Sequence, residues 1–117
     1  MPTVKLTTEK FKSDIFDYTT EKEWKYKGDK PAIIDFYADW CGPCKMMSPI
    51  LQEVKLDLKD AVKIIKVNVD QHQDLASHFM VRGVPTLMLF KTGKMLWRQS
   101  GVLSAKDLTT IISNHLN

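Results

Sequence analysis

Cysteine is scarce in this chain: Cys41 and Cys44 are the only two in 117 residues. A disulfide framework is thereby excluded, because a bridge across two intervening residues closes no useful loop of the unfolded chain and adds little stability. Charge of one sign is also lacking. The formal net charge is +3, and the lysines are scattered among aspartates and glutamates rather than gathered in a block. Nucleic acid is therefore not an expected partner. No apolar run is long enough to span a bilayer, so no membrane role is expected. Met1 to Phe16 alternates polar with apolar residues and has no continuous apolar stretch of the secretory-signal kind. The expectation is a cytoplasmic protein, although a mature exported domain with an added Met1 would read the same. Repeats and low-complexity segments are absent.

What is present fits one globular domain over residues 1–117, with 44% hydrophobic and 26% charged residues. Thr3 to Leu6 reads as a short strand, and Thr7 or Thr8 can cap a helix carrying Phe11, Ile15 and Phe16. Trp24 and Tyr26 have no assigned place, and Gly28-Asp29-Lys30-Pro31 signals a turn. Ala32 to Ala38 is a nearly continuous apolar run of strand length, the pattern of a central strand covered on both faces, with Asp35 the exception. Met47, Ile50, Leu51, Val54 and Leu58 recur at helical spacing, so a helix is expected from near Cys41 to about Lys59, kinked at Pro49. Val62 to Val69 is strand-like, and Asp74 to Phe79 reads as a short helix ending before Gly83. Thr86 to Phe90 and Met95 to Ser100 flank the turn Lys91-Thr92-Gly93-Lys94 as an antiparallel hairpin. Ser104-Ala105-Lys106-Asp107 resembles a capping box before a helix with Leu108, Ile111, Ile112 and Leu116 on one face. Strands alternating with helices, then a hairpin and helix, argue for an α/β fold with a mixed sheet and helices on both faces.

The cysteine pair carries the chemistry. Disulfide exchange proceeds by attack of a thiolate on sulfur, so a catalyst needs one accessible, acidified cysteine and a second within reach to release the mixed disulfide. At the first turn of a helix the Cys41 sulfur would face unpaired amides and the positive end of the helix dipole, up to about 2 kcal/mol in favour of thiolate. Cys44, one turn further in, should lie deeper and resolve the intermediate. Between them Gly42 permits a tight turn, and Pro43 suits a first helical turn while contributing no amide, so this pair should tune the redox poise. Two thiolates at this spacing are also half of a zinc site. The other half is missing: there is no second cysteine pair, and His72 and His78 stand beside no other candidate ligands, so no metal is expected.

Asp35-Phe36-Tyr37-Ala38-Asp39-Trp40-Cys41-Gly42-Pro43-Cys44-Lys45 resembles the active-site segment of the thioredoxin family, and such a motif is a general signature of that redox chemistry. Pro49, Lys66 with Asn68 and Asp70, Arg82-Gly83-Val84-Pro85-Thr86, Phe90-Lys91-Thr92-Gly93 and Gly101 follow in the family's order and approximate spacing. The resemblance implies a thioredoxin fold, a central mixed five-stranded sheet flanked by about four helices. It implies a protein-disulfide reductase without its own cofactor, acting on disulfide-containing protein substrates and recharged by thioredoxin reductase, a flavoprotein with a nicotinamide donor. A monomer is implied as well. Two other readings share the motif: an oxidase or isomerase of an oxidising compartment, and a subunit that holds a partner without turnover.

Four further features bear on the site. Asp35, in an apolar strand, should hold its proton to unusually high pH, and the resemblance implies that it takes the proton of Cys44; the alternative is an ion pair with Lys66. Lys66 in the family sits near the buried aspartate and helps set its charge; the alternative is an exposed edge lysine. Val84-Pro85-Thr86 resembles the family's cis-proline loop, with Val84 offering backbone hydrogen bonds to an extended target peptide. Trp40, Val84, Pro85, Gly101 and Val102 would then form an apolar collar around Cys41. The family usually has a tryptophan where this chain has Tyr37, and Trp97 lies outside its pattern.

Overall fold

The computed structural model describes residues 4–5, 30–91 and 94–116. The expected helix after Thr7 or Thr8, Trp24, Tyr26, the start of the Gly28 turn and the Thr92-Gly93 hairpin tip lie outside them.

Five strands form one sheet in the order β1-β3-β2-β4-β5. They are β1 (Val4–Lys5), β2 (Ala32–Tyr37), β3 (Lys63–Asn68), β4 (Thr86–Lys91) and β5 (Lys94–Ser100). The three helices described are α1 (Gly42–Leu58), α2 (Gln73–His78) and α3 (Ala105–Leu116), with a 3-10 turn at Lys59–Ala61. β1, β3 and β2 run parallel, whereas β4 is antiparallel to both β2 and β5. Parallel neighbours need a crossover connection, and α1 supplies it between β2 and β3. β4 and β5 follow one another as the expected hairpin, with an irregularity between Leu89 and Phe90.

The apolar run of β2 is explained by its place. Every one of its residues is buried, as a strand at the middle of a sheet with helices on both sides must be. Successive side chains alternate between the faces. Ala32, Ile34 and Phe36 join Ile65, Val67, Met88 and Phe90 in a core closed by Leu75 and Phe79 at α2. Ile33 joins Ile64, Leu87 and Leu89 in the opposite core, under Met47, Leu51 and Val54 of α1 and Leu108 and Ile112 of α3. The helical spacing from Met47 through Leu58 thus marked the buried stripe of α1, which continues through Pro49 as one element. Trp97, without a place in the sequence pattern, packs half-buried against this second core.

Helix ends follow local chemistry. Ser104 caps α3, its Oγ accepting from the Asp107 amide at 3.1 Å. α2 ends within a residue of the expected Phe79, at a Schellman turn: the Met80 amide bonds to the Ser77 carbonyl at 3.1 Å and Val81 to Ala76 at 2.8 Å. Met80 takes the left-handed conformation there, at φ 52°. The Arg98 guanidinium, reaching from β5, donates to the Phe79 and Met80 carbonyls and holds the turn. A left-handed side chain costs roughly 1–2 kcal/mol, part of which a glycine returns as backbone entropy. Met80→Gly should therefore raise stability by about 0.5–1 kcal/mol in urea unfolding; a loss would show that the Met80 side chain makes a compensating contact.

Candidate active site

β2 ends at Tyr37, and the chain turns through Asp39 and Trp40 into α1. Cys41 is the N-cap of that helix, with extended backbone angles, and its sulfur accepts from the Cys44 amide at 3.1 Å. Pro43 occupies the first turn, where no amide is required. The cap that would otherwise be a serine or aspartate oxygen is here a sulfur, so one of the orphan amides of the helix is directed at the reacting atom.

Cys41 and Cys44 are joined as a disulfide with their Cα atoms 5.2 Å apart. The expected difference in depth is not seen in this oxidised pair: each residue is 4% exposed. Both belong to one buried cluster with Tyr37 and Ala38.

The Val84 carbonyl oxygen lies 3.6 Å from the Cys41 sulfur. The Val84–Pro85 peptide bond is cis, as the resemblance implied. This loop is tied to the end of the hairpin, because the Gly101 amide donates to the Pro85 carbonyl at 2.9 Å. Gly101 has φ +99°, a region open to glycine and unfavourable to residues with a Cβ. Thr86 fixes the loop from the other side through its Oγ1, which donates to the Gly83 carbonyl at 2.6 Å.

The expected collar is only partly assembled. Trp40, 71% exposed, and Val84 share a shallow cleft of about 120 Å³ with Val69, Val81, Arg82 and Gly83. Trp40 is pinned at its edge by a hydrogen bond from its Nε1 to Asp70 Oδ2 at 2.9 Å. Pro85 is buried behind the loop, whereas Val102 remains exposed beyond Gly101. Asp70 and Arg82 belonged to the family pattern in the sequence but were given no role at the site. Asp70 is 30 residues from its partner, and only the parallel pairing of β2 with β3 brings them together.

Below the disulfide, Asp35 is completely buried on the α1 side of β2. Neither carboxylate oxygen has a hydrogen-bond partner. Lys66 is its neighbour in register on β3, yet the two form no ion pair: the Lys66 ammonium donates to Ser48 Oγ at 2.8 Å and stands 4.7 Å above the Tyr37 ring centroid. Half-buried, Lys66 is neither an edge residue nor the direct partner of Asp35. Burial pushes the Asp35 carboxyl up to about 7, and the positive charge of Lys66 opposes the rise. Cys44, Lys45, Ser48 and Lys66 line a cleft of about 170 Å³ together with Tyr37 and Asp39. Ser48 was also missed, although it lies four residues after Cys44 on the same face of α1.

The raised carboxyl makes stability depend on pH. From about pH 4 to about pH 7 the folded chain keeps a proton that the unfolded chain has lost, so stability falls as pH rises through this window. Below it the contribution is fully present; above it the folded chain carries a buried charge. Asp35→Asn should match the parent near pH 4 and exceed its stability near pH 8 by on the order of 4 kcal/mol, the shift from 3.8 to about 7 at 1.36 kcal/mol per pH unit. Equal unfolding free energies at both pH values would show that Asp35 is not raised.

Comparison with known proteins agrees with this geometry. The thioredoxin family model matches residues 2–114. A thioredoxin of Borreliella burgdorferi is 46% identical over 85 residues, 73% of this chain and 73% of that protein. One from Acidithiobacillus ferridurans is 37% identical over 107 residues, 89% of this chain and 99% of that protein. Among solved structures, chloroplastic thioredoxin z superposes with a TM-score of 0.80 at 26% identity, over 97% of this chain and 94% of that one. A cysteine pair capping the helix after the central strand, a cis-proline loop against its sulfur and a match along almost the whole chain make this protein a member of the thioredoxin family.

Proposed function

We propose a division of labour among the site residues for the reaction this protein catalyses, the reduction of protein disulfides by thiol–disulfide exchange at Cys41 and Cys44. The thiolate of Cys41 attacks one sulfur of the target disulfide, forming a mixed disulfide and releasing the other target sulfur as a thiolate. Cys44 then loses its proton and attacks Cys41. The Cys41–Cys44 disulfide forms, and the second target sulfur leaves. Two electrons pass from the enzyme dithiol to the target.

The observation that carries the assignment of Cys41 as nucleophile is the helix cap: the Cys44 amide already points at the Cys41 sulfur at 3.1 Å, where it would stabilise a thiolate. Asp35 is the acceptor for the Cys44 proton, directly or through one water. Its support is a carboxyl with no hydrogen-bond partner on the α1 side of the central strand, tuned to about 7, where it can take and release a proton near neutral pH. Lys66 acts on Asp35 through its charge. Gly42 and Pro43 set the poise of the pair. An extended target segment lies along the cleft edged by Trp40 and Val84, bonded to the Val84 backbone, with Pro85, Gly101 and Val102 completing the surface.

The protein works with thioredoxin reductase as its electron source. It acts as a monomer of one domain over residues 1–117, in the reducing environment of the cytoplasm and without nucleic acid. No described helix is long and apolar enough to cross a membrane.

Stopped-flow reduction of a model protein disulfide, with single cysteine variants, tests the roles. Cys41→Ser should abolish turnover, and Cys44→Ser should accumulate a target-linked species that external thiol releases. Asp35→Asn should slow release of the target and remove the limb of the rate profile that rises through about pH 7, since the carboxylate accepts a proton only when ionised. An unchanged profile would exclude Asp35 as the acceptor, and accumulation by Cys41→Ser instead would reverse the two sulfurs.

A further inference from the structure

Asp35 and Lys66 are partners in register on adjacent parallel strands, with side chains on the same face of the sheet. A lysine placed there, beside a buried carboxylate with two unpartnered oxygens, has an evident ion pair to make. It does not make it. The ammonium is taken by Ser48 Oγ at 2.8 Å and by the face of Tyr37, with its centroid 4.7 Å away. Ser48 is half-buried on α1 and lines the same cleft as Cys44 and Lys66.

We propose that Ser48 is a positioning residue for the resolving step: by holding the Lys66 ammonium off Asp35, it keeps that carboxylate basic enough to take the Cys44 proton. The inference rests on the reading of Asp35 as acceptor and adds the residue that sets its strength. Were the ammonium to close on Asp35, the ion pair would favour the charged form and weaken the base. Tyr37 contributes the second hold, through the attraction of a cation to an aromatic face.

The other groups around Asp35 leave Lys66 as the charge to control. β4 presents Leu87 opposite Asp35, and α3 presents apolar Leu108 and Ile112 on that side of the sheet. From α1 come Cys44, bound in the disulfide, and Lys45, exposed at the cleft rim. β2 and the turn after it add Tyr37 and Asp39, and Asp39 is exposed and accepts from Asn68 Nδ2 at 3.4 Å.

The test is the titration of the Asp35 carboxyl carbon by NMR in the oxidised protein, where neither cysteine titrates, for Ser48→Ala with and without Lys66→Met. Alanine is a better helix former than serine, so α1 is retained. With Ser48→Ala alone, the Asp35 midpoint should fall by about 1–3 pH units, the range for a carboxylate gaining an adjacent cation. Ser48→Thr, which keeps a hydroxyl, should restore it. In the Lys66→Met background, Ser48→Ala should shift nothing further. The rising limb of the target-release rate should move down in pH with the midpoint. An Asp35 midpoint that stays or rises, or that falls equally without Lys66, overturns the role of Ser48. If the midpoint falls as expected while Asp35→Asn leaves the rate profile intact, the positioning stands and the acceptor reading fails instead.

Discussion

Because β2 is covered on both faces, whatever it carries lies out of water, and the chain leaving it must turn at once into a helix that packs back on the sheet. Both parts of the site follow from that burial. The turn makes Cys41 the cap of α1, and the strand interior isolates Asp35 beneath that helix. Apolar packing by Ile33, Phe36, Met47, Leu51 and Phe79, at roughly 1.5–3 kcal/mol for each fully buried side chain, holds this arrangement against the cost of an unpartnered carboxyl. Site and core are thus parts of one packing problem.

The polar groups around the disulfide divide into two sets with different physics. On the solvent side, Trp40, Asp70 and the Val84 loop shape a surface, with one exposed hydrogen bond fixing the indole, and the Gly101 amide and the Thr86 hydroxyl fixing the loop. On the sheet side, Asp35, Lys66, Ser48 and Tyr37 form a charge arrangement in which small displacements matter, since the local environment screens weakly. A helix amide aimed at the Cys41 sulfur and a buried, raised carboxyl beneath it are what set this pair apart from a structural disulfide.

Much of this was legible in the sequence wherever the signal was local or periodic. The apolar run of Ala32 to Ala38, the helical stripe from Met47 to Leu58 and the cap at Ser104 each announce their element. Cys41 and Cys44, separated by one helical turn, announce the chemistry. The cis bond before Pro85 and the closeness of Val84 to Cys41 required the family resemblance, because nothing in the local residues demands them. Pairings across the sheet were hidden. Sequence could offer an ion pair or an exposed position for Lys66, but the observed partners, Ser48 and Tyr37, depend on how α1 lies over β3. The end of α2 near Phe79 was legible, but its cap was not: Met80 rather than a glycine takes the left-handed turn, under the hold of Arg98 from a distant strand.

The most direct test of the account is the equilibrium reduction potential of the Cys41–Cys44 pair, measured against glutathione or dithiothreitol buffers. A protein-disulfide reductase requires a strongly reducing pair, and the general value for thioredoxin, about −270 mV, sets the expectation for this member of the family. A potential near about −180 to −120 mV, as for isomerases and strong thiol oxidants, would contradict the assignment and turn the same cysteines to making or rearranging disulfides.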